Sequence, residues 1–206
     1  MNKLSWLALV FLSVLLQACT SSGPATKYYA LLPQASVELL DFEQANFSLG
    51  VGPVKIPEFL EHPGIVSLGE GNRIHVSGYN AWAGDLKTNI SRVVASNLSK
   101  TLEHQEIYAF PWDARNRPHY QLRLEFENLS GVRGGEVQTR VRWMLLDREG
   151  RTVIKQATLE IAIQSGSDSY NDYVAALNAG INVLSLQIAE YLSTEFLMPI
   201  DRQALR

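Results

Sequence analysis

The chain contains one cysteine, Cys19, so it can form neither an intramolecular disulfide framework nor a cysteine-cluster zinc site. Charge is sparse as well: Asp, Glu, Lys and Arg make up 19% of the 206 residues, and the formal net charge is −3. No dense basic run occurs, which argues against a nucleic-acid partner. Beyond residue 18 no apolar run is long enough to span a membrane, and there is no internal repeat or low-complexity tract. What is present is apolar: 46% of the residues are hydrophobic, far above a disordered polar chain. At roughly 100–200 residues per domain, the length fits one domain.

Met1-Asn2-Lys3 forms a short positive start, and Leu7 opens an apolar run to Leu16 interrupted by Ser13. As a helix, residues 4–18 would span about 22 Å at ~1.5 Å per residue, short of a hydrocarbon core of about 30 Å. This is the length of a secretory h-region. Leu16-Gln17-Ala18-Cys19 follows it, and a small residue directly before a cysteine at this place resembles a bacterial lipobox. Residues 1–18 are therefore expected to be a lipoprotein signal peptide and Cys19 the lipidation site. Removal of residues 1–18 would leave 188 residues and, with Lys3 gone, a charge of −4. Thr20 follows the cysteine where an Asp would favour the inner membrane, so export to the outer membrane is expected. Residues 19–26 form a lipidated tether: Thr20, Ser21, Ser22, Gly23, Pro24, Ala25 and Thr26 are small or polar and reach at most ~24 Å.

Residues 27–206 are expected to form the single domain. Lys27-Tyr28-Tyr29 opens an extended segment stopped by Pro33, and residues 47–56 form a strand candidate in which Gly52-Pro53 implies an edge or a bulge. Residues 65–68 and 73–76 flank Gly69-Glu70-Gly71-Asn72 as a hairpin. Leu86, Ile90, Val93, Val94, Leu98 and Leu102 recur at helical spacing, so residues 85–103 form a helix capped by Asp85. Period-two alternation then runs through Tyr120, Leu122, Leu124, Phe126, next through Val137, Thr139, Val141, Trp143, Leu145, and finally Leu159, Ile161, Ile163. Such a meander has one apolar and one polar face. A final helix over residues 169–197, with Asp168 as cap, carries very few charges. Deep packing within the domain and contact with a second protomer both explain that sparsity. The fold class is α+β: a mixed, mainly antiparallel sheet with two long amphipathic helices packed on one face.

Signals of chemistry are weak. His62, His75, His104 and His119 are not spaced as metal pairs. His104 falls at a helix end, where a cation suits the dipole. Ser67 sits in a Gly-x-x-Ser-x-Gly stretch with one residue too many before the serine for a nucleophile elbow, and in a hairpin. Glu58/Glu61 and Asp168/Asp172 are ordinary surface carboxylate pairs, and the sequons at Asn46, Asn89, Asn97 and Asn128 carry little meaning in a bacterial protein. The expectation is no enzyme, no cofactor and no metal. Phe59 and Leu60, between Pro57 and Pro63, read as an apolar loop tip for a partner, and Trp82 before the first helix as either core or contact.

A family resemblance emerges from the order of these pieces. After the lipobox come Tyr28-Tyr29-x-Leu31, then Val51-Gly52-Pro53-Val54-x-Ile56-Pro57-x-Phe59-Leu60 and Ile65-Val66. Trp82-Ala83-x-x-Leu86 heads the first helix, which holds Asn97-Leu98; a strand with Trp143 ends in Asp147-x-x-Gly150, and a helix with Tyr173 ends in Ile188-Ala189. This resembles the ABC-type transport auxiliary lipoprotein family. The family often has Glu-Pro where this chain has Gly84-Asp85, which alters the helix cap. The resemblance implies a non-enzymatic outer-membrane lipoprotein on the periplasmic face, partnered with an MCE-domain protein of a lipid transport system and assembled as a homo-oligomeric ring. A lipoprotein regulator or pilot for another envelope enzyme or secretion channel is the alternative.

Overall fold

The computed structural model describes residues 23–34, 40, 42, 47–113, 115 and 117–196. Cys19 and the segment around it lie outside the described residues. Among the described residues, eight strands and two long helices follow in the order β1 Lys27–Tyr29, β2 Leu49–Lys55, β3 Gly64–Leu68, β4 Ile74–Trp82, α1 Leu86–Thr101, β5 Ile107–Ala109, β6 Tyr120–Gly131, β7 Glu136–Leu146, β8 Val153–Gln164 and α2 Tyr170–Tyr191. A 3₁₀ turn over Glu58–Leu60 joins β2 to β3, and a π-type turn over Leu192–Phe196 follows α2.

The fold is α+β as expected, with the strands divided between two sheets. The larger has the order β5-β2-β6-β7-β8 and the smaller β1-β4-β3. The meander β6-β7-β8 is antiparallel throughout. Its odd-numbered residues Leu145, Trp143, Val141 and Val137 are buried, while Arg140 and Arg142 face solvent. On that outer face Arg140 bridges Glu127 at 2.9 Å and Glu160 at 3.3 Å, and Arg142 meets Glu125 at 2.5 Å. β2 is no edge. It lies between β5 and β6, parallel to both, and Gly52-Pro53 falls where its register against β6 shifts, the bulge alternative of the sequence reading. Gly52 has φ +124°, a conformation open to glycine.

Both helices cover the apolar face of the larger sheet, α1 over β2 and β5, α2 over β7 and β8. Asp85 caps α1 as expected, accepting the Thr88 N–H at 2.7 Å. The buried face of α1 is wider than its apolar stripe. Ser91 faces the sheet, donating to the Val51 carbonyl at 2.5 Å and accepting from the Phe110 N–H at 3.1 Å. The cap of α2 is Ser169 rather than Asp168: Ser169 Oγ accepts the Asp172 N–H at 3.1 Å. At Gly180 the helix runs so close to β7 that an added Cβ would stand 2.5 Å from Thr139 Oγ1.

Four asparagines seat residues 31–34 along both helices. Asn89 Oδ1 accepts the Leu31 N–H at 2.8 Å and its Nδ2 donates to the Leu31 carbonyl at 3.1 Å. Asn178 Oδ1 accepts from Leu32 N at 2.9 Å, and Asn97 Oδ1 from Gln34 N at 3.1 Å. Asn97 also donates to Asn182 Oδ1 at 2.8 Å, and Asn182 to Gln34 Oε1. The side-chain amides act as a neighbouring strand would, satisfying an extended backbone that no sheet pairs. Part of the uncharged surface of α2 is thus covered by the chain itself.

Tyr173 ties the two sheets together. Its buried hydroxyl donates to the Val66 carbonyl of β3 at 2.9 Å and accepts the Gly131 N–H of β6 at 3.2 Å. Tyr173→Phe leaves both backbone groups unpaired and should lower stability by about 1–3 kcal/mol. Burial, the main cause, pushes the phenol up to about 12 from an ordinary 10.0. The folded state therefore favours the neutral phenol. That contribution is complete below about pH 10 and is lost as the pH rises toward about 12. Urea midpoints should be lower for the variant at neutral pH, and the gap should narrow through that alkaline window. Equal midpoints at neutral pH would remove the hydroxyl from this role.

Candidate partner-docking site

Of the three candidate contact residues, one is exposed. In the 3₁₀ turn Leu60 N donates to the Pro57 carbonyl at 2.9 Å and Glu61 N to the Glu58 carbonyl at 3.0 Å. This tight turn sends consecutive residues to opposite sides. Phe59 is 39% exposed, whereas Leu60 is 4% exposed and belongs to the core. Trp82, 9% exposed at the end of β4, also belongs to the core. Leu60 as part of an exposed loop tip, and Trp82 as a surface contact, are therefore corrected: the apolar residues inside the turn have Leu86 and Val66 to pack on.

Leu60 and Trp82 nevertheless meet in one place. With Ile56, Pro63 and Leu86 they form the apolar floor of a cleft of about 310 Å³ at the head of α1, rimmed by Glu61, His62, Gly84, Asp85 and Lys87. Leu60, Trp82 and Leu86 are also walls of a small enclosed void behind it, closed by Leu31, Val66, Leu129 and Leu177. The rim is polar and partly paired. Lys87 Nζ meets Glu61 Oε1 at 2.9 Å, and this hydrogen bond raises the lysine above its ordinary value. The Thr88 hydroxyl, at 2.6 Å, and then its N–H hold the Asp85 carboxyl below the usual carboxylate range. Asp85 is thereby committed to capping the helix. An apolar floor with a polar rim suits an apolar side chain of a partner, and offers no set of convergent acid, base and nucleophile.

Three of the four histidines make hydrogen bonds within the fold. His62 Nδ1 accepts the Gly64 N–H at 2.9 Å, and His119 Nδ1 lies 3.1 Å from Ser48 Oγ. His104, just past the end of α1, donates Nε2 to the Phe47 carbonyl at 2.8 Å and stands edge-on to Phe42 and Phe47, tying the helix end to the segment before β2. Ser67 is buried in β3 opposite His75. Among the described residues no three His, Cys, Asp or Glu side chains gather to hold a metal ion.

The sequence reading passed over a second exposed apolar row, Leu68, Ile74 and Val132. Leu68 pairs with Ile74 in the hairpin and forms an isolated parallel bridge with Val132, the residue after the end of β6. The chain signal was only an apolar residue at each end of a glycine turn, and the third member follows a strand of the other sheet.

Residues 29–189 match the ABC-type transport auxiliary lipoprotein component family. The chain belongs to that family. It is 27% identical over 174 residues to the intermembrane transport lipoprotein PqiC of Escherichia coli (strain K12), covering 84% of this chain and 89% of that protein. The same figures hold for PqiC of Shigella flexneri. Two crystal structures share the fold at a TM-score of 0.66. One is of an uncharacterized protein, 22% identical and matched over 82% of this chain and 100% of its own. The other is of a Xanthomonas campestris protein, 15% identical and matched over 82% of this chain and 95% of its own. The family match spans the cleft, the asparagine seam and Tyr173, and it takes in nearly all of the described core of this transport auxiliary lipoprotein, Leu192 lying just beyond it. No helix among the described residues is long and apolar enough to cross a membrane.

Proposed function

We propose that this protein is a non-catalytic subunit of an envelope lipid transport system, anchored in the outer membrane through Cys19 and facing the periplasm. Residues 1–18 direct export and are removed, residues 19–26 tether, and residues 27–206 dock. The observation that carries the reading is the family match over residues 29–189, together with a relative named as an intermembrane transport lipoprotein. The partner is an MCE-domain protein reaching from the inner membrane, and copies of the lipoprotein assemble as a ring around its end. Phe59 is the contact residue, standing beside the apolar cleft floored by Leu60 and Trp82. A ring repeats each weak contact, so avidity supplies what one side chain does not.

The test is co-purification of the full-length lipoprotein from detergent-solubilised envelopes. An MCE-domain protein should be recovered with the wild type and be depleted several-fold with Phe59→Ser, while the thermal midpoint stays close to the wild-type value. Sedimentation in the same detergent should give a multiple of the protomer mass. Undiminished recovery with Phe59→Ser removes docking from this loop. A monomer that retains no MCE-domain protein removes the assembly reading altogether.

A further inference from the structure

The anchor and the fold meet at one corner of the smaller sheet. β1 pairs parallel with the end of β4, Lys27 opposite Asn80 and Tyr28 opposite Ala81. On either side of the Lys27–Asn80 pair stand two exposed aromatic side chains, Tyr28 at 69% and Tyr79 at 53% exposure, and Leu32 is exposed just beyond β1. Tyr79 owes its exposure to a wide irregularity in β4. The register slips between Gly64↔Ala81 and Val66↔Val76, leaving residues 77–80 without partners on β3. This loop-out is fastened from within. Ser77 Oγ accepts from Asn80 N at 3.0 Å and Asn80 Nδ2 at 2.9 Å, and Tyr29 Oη donates to Asn80 Oδ1 at 3.1 Å. The bulge thus re-aims a tyrosine outward and holds it there.

Composition at this corner is distinctive. Across residues 27–32 and 77–83, Lys27 is the one charged residue. Tyrosine, with an apolar ring and a wet hydroxyl, settles at the headgroup level of a bilayer, and a lysine beside it is drawn to anionic lipid. Seven residues separate Cys19 from Lys27, a reach of at most ~24 Å. An acyl chain on Cys19 therefore keeps this corner next to the membrane at all times.

We infer that Tyr28, Tyr79 and Leu32 rest on the surface of the bilayer that holds the Cys19 anchor, so that the β1–β4 corner is the membrane-facing side of the domain. The inference rests on the anchoring reading above. It gives the domain an orientation that a flexible tether alone does not impose: the Tyr28 and Tyr79 face of the β1–β4 corner lies toward lipid, while Trp82 and the cleft belong to the opposite face of that sheet and stay open to a partner.

The acylated Cys19 has no free thiol, so the full-length lipoprotein carrying Tyr28→Cys, Leu32→Cys or Tyr79→Cys offers a single labelling position. Glu149→Cys, exposed in the β7–β8 turn, is the reference. Each fluorescently labelled protein is floated with phosphatidylethanolamine/phosphatidylglycerol vesicles. Quenching is then read with aqueous iodide and with a lipid carrying a headgroup-level nitroxide. The expected result is several-fold weaker iodide quenching at 28, 32 and 79 than at 149, with nitroxide quenching confined to those three. Floating protein with all four labels equally open to iodide overturns the inference and leaves the anchor intact. Shielding from iodide without nitroxide quenching assigns the corner to a second copy or a protein partner, which also overturns it. Failure to float removes the anchoring reading and the inference together.

Discussion

Trp82→Ala is expected to destabilise the domain by about 3–5 kcal/mol, the range for a buried aromatic cut back to a methyl group. The position concentrates several bonds between elements. Its backbone N–H donates to the Pro63 carbonyl at 2.8 Å and its backbone pairs with Tyr29 in β1, which an alanine keeps; its side chain closes the void shared with Leu60, Leu86 and Leu177, which an alanine does not. Because an apolar void already lies behind it, truncation would join void and cleft rather than let the wall collapse. The cavity contribution then adds to the lost transfer free energy. Leu60→Ser should cost about 2–5 kcal/mol for the same reason, with a buried hydroxyl that finds no partner adding to it. Phe59→Ser, one residue away but at the surface, should stay within about 1 kcal/mol. Urea unfolding of the three variants checks this. A Trp82→Ala protein as stable as wild type would mean that the corner does not belong to the cooperative core, and a Phe59→Ser loss as large as that of Leu60→Ser would mean that the two share one buried site.

The contrast between Phe59 and Leu60 shows where sequence reading reaches its limit. A stripe of six apolar residues along α1, and twelve alternating positions in the meander, average over many residues, so their inward faces were legible from periodicity. A three-residue 3₁₀ turn has no period to average, and two adjacent apolar residues in it carry the same signal whichever points inward. The same local ambiguity separated Asp168 from Ser169 at the head of α2: both are good caps, and a single residue of phase decided between them. Leu159, Ile161 and Ile163 were read on the apolar face, and they are half-buried rather than buried because β8 is the last strand in its sheet order.

Non-local pairing was harder still. Lys27 finds Asn80, and β2 runs parallel to β5 and β6, through connections that local patterning does not encode. The division into two sheets follows from those pairings, and so does the junction that Tyr173 closes. Most instructive are Asn89, Asn97, Asn178 and Asn182. Asn89 and Asn97 stand out in the sequence only as incidental sequons, and Asn178 and Asn182 carry no local signal. Their role depends on residues 31–34 lying across both helices, a partner 58 to 148 residues away in the chain. The family resemblance was legible although none of its pieces is specific, because order and spacing along the whole chain preserve information that each contact separately loses. For the candidate site the sequence named Phe59, Leu60 and Trp82; the structure leaves Phe59 exposed and brings the buried Leu60 and Trp82 together in the floor of one cleft, a meeting that no local pattern encodes.

Cys19→Ala should move the protein from the membrane fraction to an unprocessed precursor or a soluble species, an all-or-none change. The anchor is large. Buried acyl chains contribute about 0.8 kcal/mol per CH₂, a single chain holds a protein only marginally, and two already anchor it stably. The corner residues Tyr28, Leu32 and Tyr79 are too few to replace that. Three partly inserted side chains fall short of even one acyl chain, so without Cys19 the domain should leave the vesicle surface on dilution. With the chemistry gone, the cleavage that depends on it should fail as well, and residues 1–18 should remain on the protein. Intact mass and flotation read these two consequences separately. Wild type should show a mass that lacks residues 1–18 and carries acyl chains, and it should float. Cys19→Ala should show neither acyl mass nor flotation of the mature chain. A Cys19→Ala protein that is still shortened before residue 19 and still floats with the outer membrane would show that the attachment lies elsewhere, and the short-tether geometry that places the β1–β4 corner beside the lipid would fail with it.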